Sequence, residues 1–173
     1  MPFLPKFDAQ FLEPIIENII ALLTVQERAA LEWANGGPVP DADSPMSPTL
    51  VWRRSMWFST LLPMTSVVAI STQTAQADDD SRIEQVHLID VEIEIDGNDP
   101  DVLAISAMRR VRALDMILRG AKFGDICEGM RAGGFSLEIG EHGYTQFKQR
   151  DMSIYKIVAG FSVTVTVVEG RHV

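Results

Sequence analysis

The densest group of chemically useful side chains in the sequence is Asp90, Glu92, Glu94 and Asp96, carboxylates at every second position, interleaved with Ile89, Val91, Ile93 and Ile95. Strict alternation is the pattern of a half-buried β-strand, so the acids share one face and the aliphatic residues the other. Paired carboxylates on one face are what a Mg²⁺-dependent phosphodiesterase uses to hold its ion. Same-face neighbours along a strand stand about 6.6 Å apart at the backbone, so two of them converge on one ion only with help from another element. No partner motif in the sequence supplies that help. A solvated acidic face, or one lining a pore or a subunit contact, accounts for the same residues without catalysis.

The remaining reactive residue types form no constellation. His87, His142 and His172 are scattered, with no Cys or His at metal-ligand spacing, and they are predicted to lie on the surface. Cys127 is the only cysteine, which excludes an intramolecular disulfide and a multi-cysteine zinc site and fits a reducing compartment. Its predicted place is the core. The pairs Gly36-Gly37 and Gly133-Gly134 lack the strand-to-helix setting and the Lys-Ser/Thr of a phosphate loop, so they read as turns. Arg109, Arg110 and Arg112 form the basic cluster. A net charge of −9 argues against gripping nucleic acid with it, and no aromatic platform accompanies it. Ion pairs at a subunit interface are the predicted role of these three arginines. The sequence therefore predicts no catalytic residue, no cofactor and no metal site.

The elements that must position these residues are well signalled in places. Asp8 is a candidate cap for a helix carrying Phe11, Ile15, Ile19 and Leu22 at helical spacing, with Pro14 tolerable only in its first turn. Thr24 and Glu27 form a capping-box pattern that predicts a second helix, stopped by Gly36 and Gly37. Residues 36–48, GGPVPDADSPMSP, carry four prolines and read as an exposed loop or arm. Thr65 to Thr74 is rich in β-branched residues and predicts a strand; the acidic stretch 77–82 then predicts a loop before the alternating strand. After Gly97, the order Asn98, Asp99, Pro100, Asp101 marks a helix start. Leu103, Ala107, Val111, Leu114 and Leu118 give that helix a continuous apolar stripe, ended by Gly120. Phe123 to Met130 suggests a short helical turn. Phe135–Ile139 and Tyr144–Lys148, flanking Gly140-Glu141-His142-Gly143, predict a hairpin. The final strand alternates Phe161, Val163, Val165 and Val167 with Ser162, Thr164 and Thr166.

Both clear strands have one apolar face, which predicts an α+β fold with a mostly antiparallel sheet and helices packed on one face. At 173 residues and 46% hydrophobic content, the chain fits a single domain over 1–173. The run from Arg53 to Ala77 has the grammar of a secretory signal, but about fifty residues precede it. Its apolar part, Trp57 to Ile70, is about fourteen residues long, too short to span a bilayer. A buried turn followed by a strand is the reading adopted.

In layout, the N-terminal amphipathic helix, the Pro-rich loop, the strand after Leu62-Pro63, the strand HLIDVEIEIDGND, the capped helix LAISAMRRVRALDMILRG and the closing Val/Thr strand resemble the tail terminator, or tail completion, proteins of long-tailed bacteriophages. The resemblance runs from about Phe7 to Glu169 and rests on order and patterning. It implies a structural virion protein, assembled in the host cytoplasm, whose copies close into a ring, expected to be a hexamer. The ring would cap the tail tube and meet the head-tail connector or stopper protein, with DNA passing through unbound and no membrane involved. It supplies no catalytic residues. On this reading Asp90, Glu92 and Glu94 are expected near the lumen, with a subunit contact or an outer solvated face as alternatives. Rival expectations are another neck or head-closure component, the metal-dependent phosphodiesterase, and a periplasmic binding domain beginning near Asp78.

Overall fold

A proline that has no amide to lose and an aspartate that satisfies its neighbours' amides start the best-signalled helix. In the computed structural model, which describes residues 12–38, 48–50, 64–76, 82–130, 132–148 and 154–170, helix α2 runs Pro100–Arg119. Asp99 is its N-cap, Pro100 sits in its first turn, and the Asp99 carboxylate accepts from the amides of Asp101 at 3.0 Å and Val102 at 3.2 Å. The predicted stripe is buried: Leu103, Ala107, Val111, Leu114 and Leu118 are each at most 8% exposed.

The N-terminal region corrects the sequence reading. One helix, α1, spans Leu12–Asn35 without a break. The capping-box residues do other work: the Thr24 hydroxyl donates back to the Ile20 carbonyl at 2.7 Å, and Glu27 turns into the core. Ile15, Ile19, Leu23, Glu27, Ala30 and Leu31 form one buried face across the expected junction, so packing carries the helix through. Pro14 lies in the first turn, where its missing amide has no helical partner. The glycine stop is as expected. Gly36, at φ +71, donates to the Trp33 carbonyl, and Gly37 donates to that of Glu32, satisfying two end carbonyls. Asp8, Phe11 and most of the Pro-rich stretch lie outside the described residues.

The strands are β1 (Pro48–Leu50), β2 (Met64–Gln76), β3 (Arg82–Gly97), β4 (Ala132–Lys148) and β5 (Tyr155–Gly170), with a short helix α3 (Phe123–Ile126) before β4. They form one sheet in the order β1-β2-β3-β5-β4. Pairing is antiparallel throughout except where β1 runs parallel to β2. The fold is α+β, with helices over one face. On that face Ile89, Val91, Ile93, Ile157, Phe161, Val163 and Val165 join the buried stripes of α1 and α2 in a single core cluster. The opposite positions, from Asp90 to Glu94 on β3 and Val158 to Thr166 on β5, are half-buried and face away from the helices.

The predicted hairpin at Gly140–Gly143 is a second correction. β4 is one strand of 17 residues. Its register passes from Ile139↔Val163 to His142↔Phe161, so one extra residue is absorbed as a bulge. A Cβ at Gly140 would lie 2.3 Å from the Ser162 hydroxyl, which would have to rotate away to admit one, so this glycine passes close to β5 rather than turning the chain. Similar one-residue shifts occur at Gly133 and, on β2, at Ile70.

Candidate functional site

Helix α2 has a second apolar line on the side away from the core. Val102, Ile105 and Met108 recur every three residues and are 56%, 56% and 68% exposed. Between this line and strand β4 runs a groove of about 520 Å³, lined by Ile105, Met108, Arg109, Arg112, His142 and Tyr144, with Ala34 of α1 at its margin. Trp33, beside Ala34, is 53% exposed, and the Arg112 guanidinium carbon lies 4.8 Å from the centre of its ring. That stacking sets the Arg112 guanidinium against the indole face. Tyr144 is 54% exposed and its hydroxyl donates to Gln146 at 3.1 Å. The groove thus combines aliphatic, aromatic and guanidinium surface, the mixture enriched where proteins meet.

The imidazole of His142 closes the inner side. It packs on Phe161 with ring centres 5.4 Å apart, and its Nε2 lies 3.6 Å from Asp115, whose other oxygen takes Arg119 at 2.8 Å. The bulge in β4 places this residue: one residue fewer would turn His142 to the other face.

The arginine cluster divides. Arg109 and Arg112 line the groove, but Arg110 is 1% exposed and points into the core, with its Nη1 3.9 Å from Glu27 Oε1 across the α1–α2 interface. Arg110 is therefore not available to a neighbouring chain. A helix advances about 100° per residue, so three arginines within four positions cannot share one face.

On the other side of the sheet lies a smaller hollow of about 240 Å³, lined by Asp90, Glu92 and Glu141 together with Gly143, Tyr144 and Gly160. Glu94 is drawn away from it into an ion pair with Lys156, Oε2 to Nζ 2.5 Å. The acids do share one face, as alternation requires, but only two of the strand's four line the hollow. Among the described residues no grouping of three or more His, Cys, Asp or Glu has the geometry to hold a metal ion.

Of two buried reactive groups, sequence placed Cys127 correctly in the core and misplaced His87. His87 is fully buried rather than on the surface. Its Nδ1 lies 3.0 Å from the Thr72 hydroxyl, its Nε2 has no hydrogen-bond partner among the described residues, and burial pushes its pKa below the usual 6.5. His172 lies outside the described residues. Cys127 is 2% exposed and burial pushes its thiol up to about 11, so it is not an activated nucleophile.

Sequence reasoning picked out Arg109, Arg112 and the acids but missed the groove. The i, i+3, i+6 spacing of Val102, Ile105 and Met108, opposite the core stripe, was the available signal.

No helix among the described residues is long and apolar enough to cross a membrane. No protein-family model and no curated protein sequence matches the chain. Among solved structures, the chain is similar to one from the virion of a native gene transfer agent particle, at 16% identity over 83% of this chain and 97% of that one, with a TM-score of 0.39.

Proposed function

We propose that this protein is a structural component of a phage-type virion that assembles into a ring, closes the tail tube and joins it to the head-tail connector, without turnover. The observation that carries the reading is the exposed groove beside β4. Ile105, Met108 and Tyr144 present exposed apolar surface along it, with the exposed Trp33 next to its margin at Ala34, and chains keep such surfaces where another protein covers them. β4 adds to it, since among the described residues it pairs only with β5 and offers its other edge. The net charge of −9 is compatible with DNA passing unbound, because carboxylates neutralise no phosphates and give DNA nothing to adhere to. The layout of the sequence also resembles that of tail terminator proteins. Assembly then takes place in the host cytoplasm and the mature location is the virion.

The test is the native mass and particle shape of the purified full-length chain, followed by mixing with tail tubes. Closed rings of one stoichiometry, six on this reading, that bind tube ends and stop their growth are the expected result. A monomer at every concentration overturns the proposal. Rings that bind a connector but not a tube convert it to a neck or head-closure role. Mg²⁺- or Mn²⁺-dependent cleavage of a phosphodiester, lost in Glu92→Gln, would replace it with the enzyme.

A further inference from the structure

Resting on the ring reading, we infer that the groove and the acidic hollow are the two halves of one repeated contact: the groove of each copy meets the acidic face of the next, setting Arg109 and Arg112 against a second copy's Asp90 and Glu92. The two concavities are the front and back of a single stretch of sheet. Gly143, Tyr144 and Ala159 line both of them, the groove on the helix-covered side and the hollow on the open side. Their charges are opposite. The groove lining carries Arg109 and Arg112 and no carboxylate, while the hollow carries Asp90, Glu92 and Glu141 and no Lys or Arg.

The shape of the contact follows from where its halves lie. Because the two surfaces differ and sit on opposite faces, the contact is heterologous, and each copy that uses its front still has its back to offer. Such a contact propagates until rotation closes it into a ring. The apolar part, Ile105 and Met108, then supplies burial at the centre, and the charged pairs fix which faces meet. Of the three destinations open to the acidic face, this assigns Asp90 and Glu92 to the neighbour.

Charge exchange tests it with the full chain. Arg109→Glu/Arg112→Glu makes groove and hollow both negative; Asp90→Lys/Glu92→Lys makes both positive. Each variant alone should lose assembly, with contact affinity down by at least about a hundredfold, since facing like charges cost several kcal/mol. An equimolar mixture should restore particles holding both variants in equal number, because each groove then meets a hollow of opposite sign. Met108→Glu, at a position 68% exposed, should also abolish assembly with unchanged melting, which covers the case of a charge variant that fails to fold. Rings formed by Arg109→Glu/Arg112→Glu alone, or a mixture of two folded variants that stays monomeric, overturn the inference while leaving the ring reading standing. A monomeric wild type overturns the ring reading instead.

Discussion

Arg110 and Arg112 stand two positions apart on one helix and meet opposite fates, one sealed against Glu27 and the other stacked on Trp33 in solvent. A buried ion pair loses most when only one partner is removed, because the other charge is left in the core. Glu27→Ala or Arg110→Ala should therefore cost about 3–5 kcal/mol in denaturant unfolding, and Glu27→Met with Arg110→Leu together much less than the sum. Arg110→Glu should unfold the chain, by placing two carboxylates in that site. Arg112→Ala, by contrast, should change stability by roughly 0.5 kcal/mol. The Cys127 thiol, raised to about 11, should resist alkylation at pH 8 until denaturant is added. For His87 the folded state disfavours the proton, so the unfolded chain binds more of it below the usual 6.5. Stability is thus expected to be level above about pH 6.5 and to fall as pH drops below it, with His87→Leu flattening that slope in pH-dependent melts.

The elements show how far local rules reach. Leu114→Ala should cost about 2–5 kcal/mol, as its side chain is 2% exposed under the sheet. Gly160→Ala should destabilise by about 1–3 kcal/mol or more, since its Cβ would sit 2.2 Å from the Val91 carbonyl oxygen and push β3 from β5. Helix α2 and strands β3 and β5 were legible because each carries its own boundary chemistry and one unbroken period. The rest depended on partners far along the chain. Whether Thr24 and Glu27 start a helix or continue one is decided by Arg110, more than eighty residues later. Whether Gly140 turns the chain or lets it pass Ser162 is decided by β5. The candidate site was half legible for the same reason: charge runs are visible in a sequence, whereas a groove needs two elements brought side by side.

At the scale of the whole molecule, a single sheet separates an apolar, arginine-bearing side from an acidic one, and a chain of net charge −9 would assemble by matching those sides. Such contacts between charges weaken as salt rises, the screening length falling from about 10 Å at 0.1 M to 3 Å at 1 M. Particles, once formed, should therefore dissociate more readily in 1 M NaCl, as light scattering would read. The bulges carry a different consequence. On β2, Ala69 pairs with Ile89 and Ser71 with Leu88, leaving Ile70 supernumerary and 41% exposed. Deleting any ordinary strand residue inverts every side chain beyond it, core to solvent. Deleting Ile70 alone would do the reverse and leave an uninterrupted ladder with every later residue on its present side. Strands β2 and β4 thus hold places where the chain can change length without changing meaning. A variant lacking Ile70 should melt cooperatively, while one lacking Val67 should not fold.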